Sequence, residues 1–191
     1  MSSRGPAVRG TDGTDFAHRQ RILPHYQQTA LTKKRLKFLT ILHMLIACLM
    51  LVKLTSTILD MLDIFWEDLE ALYIPPATPW EWVWLSSVLY AIVSFRAIKY
   101  NSLIGLKIFM AGITLFGLLP LLYCAYYWLP DFRTFLHTRD ASKTSERWRD
   151  YPVALYWYIF LFVALQVHAA ELYLSIDLHK SLNNTVRKRR Q

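Results

Sequence analysis

The stretch FLTILHMLIACLMLVKLTST, residues 38–57, decides the fold. Its only charge is Lys53. A helix of about 20 residues covers a hydrocarbon core of roughly 30 Å, so this stretch is long enough and apolar enough to cross a bilayer. It follows directly on the basic segment Lys33-Lys34-Arg35-Leu36-Lys37. The 37 residues ahead of it are polar and basic, with no apolar core before a small-residue cleavage site. The span is therefore expected to serve as its own targeting signal.

Three further runs of the same kind follow, at about 82–98, 103–124 and 152–173. They explain why 54% of a 191-residue chain is hydrophobic. The second run is the shortest, but Trp80, Trp82 and Trp84 at its start suit a membrane interface. Backbone groups in lipid must be satisfied within the segment, so each run is expected to be helical. The alternation of a barrel strand is absent. The expected fold is all-α: a polytopic membrane protein with a bundle of four transmembrane helices over 38–173. Basic tails occupy 1–37 and 174–191.

Charge orients the bundle. Basic residues gather on the cytosolic side of short loops. Residues 1–37 hold eight, the turn between spans two and three adds Arg96, Lys99 and Lys107, and the C-terminal tail adds Lys180, Arg187, Lys188, Arg189 and Arg190. That places 16 on one side. The other side has five, Arg133, Arg139, Lys143, Arg147 and Arg149. The first loop has none and carries Asp60, Asp63, Glu67, Asp68 and Glu70 instead. Both termini are therefore expected in the cytosol. The net charge of +8 sits at membrane edges, which argues for lipid contact and against nucleic acid. Asn183-Asn184-Thr185 is a glycosylation sequon, but a cytosolic tail would leave it unused.

Residues 1–28 read as mostly disordered, and 29–37 as the lead-in to span one. Ile58, Leu62, Phe65, Leu69 and Leu72 recur at helical spacing with the acids between them. They predict that span one continues into a lumenal amphipathic helix, ended by Pro75-Pro76. Few residues, near Tyr100 and Asn101, separate spans two and three, which predicts an antiparallel hairpin. Gly105 and Gly112 offer one face of span three for close approach. Pro120 cannot donate to the carbonyl of Phe116, which predicts a kink near the lumenal end of span three.

Polar residues within spans are functional candidates. His43 lies in span one, and Gln166, His168 and Glu171 lie in span four. Both histidines fall at similar depth, about 7–8 Å in from the cytosolic surface. Lys107 enters from the same side and can snorkel. One reading is an ion or proton path. The other is interhelical hydrogen bonding, worth roughly 0.6 kcal/mol per contact. The prediction is that spans one and four pack together, with His43 facing Gln166 or His168. A di-iron site needs several carboxylates and Glu-x-x-His motifs, whereas this chain has one reversed pair, His168 and Glu171. Cys48 and Cys124 lie inside spans and read as buried small hydrophobes, not as a disulfide or zinc site. Ser86 and Ser87 have no histidine nearby in sequence, and no nucleophile constellation or phosphate loop emerges. No metal, no cofactor and no enzymatic activity are expected.

Several motifs together resemble the Jagunal family of endoplasmic-reticulum membrane proteins. They include Gly10-Thr11-Asp12-Gly13-Thr14-Asp15-Phe16 with Arg19, Arg21 and His25-Tyr26-Gln27. Lys53-Leu54-Thr55-Ser56, Ile58-Leu59-Asp60 and Leu62-Asp63-Ile64-Phe65 are similar to its insect members, as are Trp80-Glu81-Trp82-Val83-Trp84, Leu119-Pro120-Leu121 with Tyr123, and Gln166-Val167-His168-Ala169 with Leu172-Tyr173. The resemblance runs from about residue 10 to the C terminus. It implies a four-pass protein with both termini cytosolic, roles in organising the endoplasmic reticulum and in secretory vesicle traffic, and no known enzymatic activity.

The family's tails tend to end in lysine-rich, retrieval-like signals read by vesicle coats. Here the end is Arg187-Lys188-Arg189-Arg190-Gln191, with Arg in the third position from the end. Two readings stand for this tail: coat recognition, or a basic anchor against anionic lipid. The leading functional expectation is a non-enzymatic membrane organiser whose tails bind coat, cytoskeletal or lipid partners. The alternative is a small transporter or channel subunit that uses the polar layer.

Overall fold

A computed structural model describes the backbone of residues 14–190 and the side chains of residues 26–185. Among the described residues, four helical stretches are long and apolar enough to cross a membrane: Tyr26–Met61, Pro79–Tyr100, Leu103–Tyr127 and Val153–Thr185. The first belongs to helix α1, Thr14–Met61, and the last to helix α8, Val153–Arg190. Both are longer than a bilayer requires. The 36 residues from Tyr26 to Met61 extend about 54 Å at 1.5 Å per residue. Residues 14–28 are thus helical where disorder was expected. The disorder expected of residues 1–13 falls outside the described residues.

Spans one and four pack side by side, as predicted. Past the hydrocarbon level their pairing becomes polar. Thr29 Oγ1 lies 2.8 Å from Ser181 Oγ, and Thr32 donates to Asp177 at 3.1 Å. Leu36 and Leu178 are fully buried beside these contacts. Lys33 donates to Asn101 in the turn after span two.

Span two consists of α3, Pro79–Leu85, and α4, Ser87–Tyr100. Thr78 and Glu81 form a capping box at its start, and Pro79 opens the first turn, where its missing N–H costs nothing. Asn101 ends α4 in the left-handed conformation, with φ 53. Ser102 then caps α5, Leu103–Gly112, by accepting from Gly105 N at 3.0 Å. This is the expected tight hairpin. Its seam is close: a Cβ on Gly112 would stand 2.1 Å from the Tyr90 ring, and one on Gly105 would stand 2.8 Å from Ala97 Cβ. Gly112→Ala should therefore destabilise the bundle by about 1–3 kcal/mol through overpacking. Thermal unfolding in detergent measures this. An unchanged midpoint would mean that Tyr90 moves aside freely.

Span three is irregular just ahead of Pro120. The α5 helix widens into a π-helical turn, Ile113–Leu118, and resumes as α6, Leu119–Tyr127. Pro120 removes one rung of the hydrogen-bond ladder. The wide turn takes up the mismatch, and Pro120 then sits in the first turn of α6.

The lumenal amphipathic helix after span one does not form as expected. After Met61, Asp63 turns left-handed at φ 57. Helix α2 covers only Glu67–Glu70, and Tyr73 turns left-handed again. Leu62 and Phe65, members of the supposed apolar stripe, are 62% and 79% exposed. Helical spacing without a surface to pack on does not sustain a helix. Asp60 and Asp63 at the C-terminal end of α1 also oppose its dipole. The loop between spans three and four does hold a ten-residue helix, α7, Leu129–Thr138. A two-residue hairpin follows, β1 Arg147–Trp148 against β2 Tyr151–Pro152.

The core has two parts. One, at the end nearer the first loop, contains Leu54, Trp80, Trp84, Leu121 and Trp157. The other, at the end nearer the tails, contains Leu36, Ile98, Leu106, Phe109 and Leu178. Along α1 and α8, His43, His168 and Glu171 fall between the two. Cys124 is buried as expected, but Cys48 lies on the outer surface of α1.

Candidate functional site

Three ionisable side chains meet where spans one and four cross the middle of the bundle. On α8, His168 and Glu171 are three residues apart, so they share one face. His43 approaches from α1. All three are completely inaccessible to solvent. The His43 and His168 rings stand edge to face with centroids 4.5 Å apart.

One carboxylate oxygen receives both rings. Glu171 Oε2 lies 3.2 Å from His168 Nδ1 and 3.3 Å from His43 Nδ1. The first contact is a hydrogen bond; the second has ion-pair distance but lies outside hydrogen-bond geometry. Span two closes the cluster. Trp84 donates its indole N–H to His168 Nε2 at 3.0 Å, and Ser87 Oγ lies 2.9 Å from His43 Nε2. Trp84 and Ser87 are three residues apart, on the face of span two turned toward spans one and four. Span three supplies the last wall. A Cβ on Gly117, within the π-turn, would stand 3.0 Å from His168 Cδ2, so the absence of a side chain there makes room for the ring.

The donors fix one tautomer. An indole nitrogen can only donate, so His168 Nε2 must accept. The proton of the neutral ring then sits on Nδ1 and points at Glu171. His43 has Nδ1 toward the same carboxylate and Nε2 toward a hydroxyl that can donate or accept. A lone carboxylate in hydrocarbon is very costly, and the two imidazole rings beside Glu171 are what makes its burial tolerable. The ligand atoms of His43, His168 and Glu171 all lie within 4.8 Å of one another, close enough to hold a metal ion. The tautomer argues against that use. Binding a metal through His168 Nδ1 would move the proton to Nε2, directly against the Trp84 donor. The cluster fits a sealed interhelical tie better than an ion path.

The pairing of His43 with His168 is therefore as expected, whereas Gln166 belongs elsewhere. Its side chain is exposed and folds back to donate to Phe162 O at 2.9 Å. Two residues apart on a helix means about 200° around its axis, so 166 and 168 cannot face the same neighbour. Lys107 is likewise on the outside. Sequence reasoning missed Trp84 as a donor, and set Ser87 aside because no histidine is near it in sequence. It also missed a second, partly buried pair. Lys53 Nζ lies 2.6 Å from Glu81 Oε2, with Glu81 fully buried. The signal was there: the one lysine within span one and the one acid in the tryptophan-rich start of span two. The side chains of Arg187, Lys188, Arg189 and Arg190 fall outside the described residues.

Comparison with known proteins agrees along nearly the whole chain. Residues 1–186 match the family model described as "Jagunal, ER re-organisation during oogenesis". "Protein jagunal" of Drosophila melanogaster is 41% identical over 186 residues, covering 95% of this chain and 94% of that protein. "Protein jagunal homolog" of Caenorhabditis elegans is 34% identical over 175 residues, covering 91% and 92%. "Protein jagunal homolog 1" of Homo sapiens is 30% identical over 179 residues, covering 93% and 92%. With four membrane-length helices and a match of this extent, the chain belongs to the Jagunal family.

Proposed function

We propose that this chain is a non-enzymatic four-pass protein of the endoplasmic reticulum that organises that membrane. The observation that carries the reading is the whole-chain family match, residues 1–186, to a family described by re-organisation of that organelle. The site supports it. His43, His168 and Glu171 are sealed from solvent and tie span one to span four, with span two bound to both histidines. That is the chemistry of a rigid scaffold. A catalyst would need a reachable nucleophile or a substrate cavity at the cluster.

The orientation follows the positive-inside rule: both tails in the cytosol, the first and third loops in the lumen. Helices α1 and α8 then project together on the cytosolic side and carry the basic tails away from the bilayer. These tails are the surfaces for vesicle-coat, cytoskeletal or anionic-lipid partners, and for a part in secretory transport. Arg187, Lys188, Arg189 and Arg190 are the proposed retention signal.

The functional test is depletion in secretory cells with imaging of the endoplasmic-reticulum network. Loss of normal organisation, restored by the intact chain, is the expected result. Rescue by a chain with Arg187–Arg190 changed to Ala should fail or be mislocalised. An unaltered network after complete depletion would overturn the reading. For orientation, Asn183 should carry no glycan in a microsomal translation system. A mass shift removed by endoglycosidase and absent in Asn183→Gln would put the tail in the lumen.

A further inference from the structure

We propose that a groove between spans one and four, under the first and third loops, holds one phospholipid, with an acyl chain along the groove and its phosphate against Arg149. The cavity is about 560 Å³, within the range of small-ligand sites of roughly 300–1,000 Å³. This inference does not rest on the proposed function.

The walls are apolar. Val52 on α1 and Phe160 on α8 face the space, and Trp157 forms its back. Its roof is Leu72 and Pro75 from the first loop and Trp148 from the hairpin. The roof is fastened before any ligand arrives. Trp148 donates its indole N–H to Leu72 O at 2.9 Å, and Ala77 N donates to Thr57 Oγ1 at 3.2 Å, which holds the first loop down on α1.

Location selects the occupant. Leu49 and Val52, which line the groove, are 70% and 68% exposed on the outer face of α1. In a membrane that face meets hydrocarbon, so the molecules that can enter sideways are lipids. The groove also lies at the right depth. Lys53, on its wall, is eight residues before the end of α1 at Met61, about 12 Å along the axis. The trough thus lies within the leaflet nearer the first loop, and its roof lies at that leaflet's headgroup level.

Charge selects the headgroup. Two cations line the groove, Lys53 and Arg149. Lys53 is already neutralised by Glu81 at 2.6 Å and lies 5.3 Å over the Trp157 ring. The Arg149 side chain has no hydrogen bond or ion pair among the described residues. Arg149 occupies the first position of the two-residue hairpin turn with φ 55, a conformation that glycine adopts readily and arginine does not. The hairpin therefore holds an uncompensated guanidinium, on a strained stretch of backbone, at the mouth of an apolar trough. A guanidinium binds phosphate oxygens through two parallel N–H bonds. An acyl chain below and a phosphate above match this arrangement.

The test is native mass spectrometry of the full chain, purified in mild detergent and offered phosphatidic acid and diacylglycerol with identical acyl chains. The intact chain should retain one phosphatidic acid and release diacylglycerol. Arg149→Gly removes the charge and relaxes the turn, and should lower retention roughly tenfold, as for one charge-assisted contact. Arg139→Gly is the matched control, since Arg139 is another exposed arginine with left-handed backbone, φ 53, that does not line the groove. It should retain lipid like the parent. Val52→Trp fills the trough without touching Arg149 and should also lose the lipid; if Arg149→Gly misfolds, this variant decides. Parent-like retention by both groove variants would overturn the proposal. So would equal loss in Arg149→Gly and Arg139→Gly, which would mean general surface charge. Equal retention of diacylglycerol, or a dimer of the chain with no bound lipid, would overturn it too.

Discussion

Glu171→Ala should lower the stability of the bundle by about 3–5 kcal/mol, the cost of breaking a buried charged cluster from one side. Glu171 Oε2 accepts from His168 Nδ1 and stands at ion-pair distance from His43 Nδ1 on the other span, and no part of it reaches solvent. Without it, His168 keeps an Nδ1–H aimed at an empty space, because Trp84 holds Nε2 as an acceptor. His43 loses its only charged neighbour among the described residues. Glu171→Gln should cost less, since its amide oxygen can still accept from one ring. Gln166→Ala, on the exposed face of the same helix, should stay within about 0.5 kcal/mol of the parent. The measurement is equilibrium unfolding in mixed micelles, followed by circular dichroism. If Glu171→Ala is as harmless as Gln166→Ala, the cluster contributes nothing and the tie between spans one and four lies in apolar packing alone.

A loss of similar size is expected for Glu81→Ala, at the end of the bundle nearer the first loop, again about 3–5 kcal/mol. Glu81 has two roles at once. Its carboxylate oxygens lie 2.9 and 2.6 Å from Lys53 Nζ, and Oε1 also accepts from Thr78 N at 3.0 Å and Thr78 Oγ1 at 2.7 Å. The substitution removes the cap of span two and strands a partly buried cation on span one. A double-mutant cycle separates the roles. Adding Lys53→Met to Glu81→Ala should recover part of the loss, because the stranded cation goes with it; what is left over combines the cap, about 1 kcal/mol, with the lost Lys53 contact to Pro76 O. Strict additivity of the two substitutions would show that the ion pair is uncoupled, and only the cap would then explain why an acid is kept there.

The two pairs show how far a linear reading reaches. The four spans were legible because apolar length is a local property, and lipid leaves the backbone no alternative to helix. The hairpin at Asn101 and the close seam at Gly112 were legible for the same reason: short connections and missing side chains need no knowledge of distant residues. His43 and His168 were matched by depth along their helices, which is countable. Gln166 was wrongly grouped with His168 because depth was counted and azimuth was not.

Other features depended on surfaces that no single segment contains. The stripe Ile58, Leu62, Phe65, Leu69 and Leu72 has helical spacing, yet helix α2 spans only Glu67–Glu70, since Leu62 and Phe65 find no covering surface among the described residues to hold a longer one. Ser87 and Trp84 became partners of the histidines only when span two was laid across spans one and four. Lys53 and Glu81, 28 residues apart, were joined only when the capped start of span two was set against the end of span one. The sequence by itself determined that there are four membrane-length spans, where they turn, and which side carries the charge, because bilayer thickness and backbone hydrogen bonding act on each segment separately. The tertiary structure alone decided which polar groups meet, because that depends on the rotation of each helix about its axis, and rotation is chosen by all four packed surfaces together.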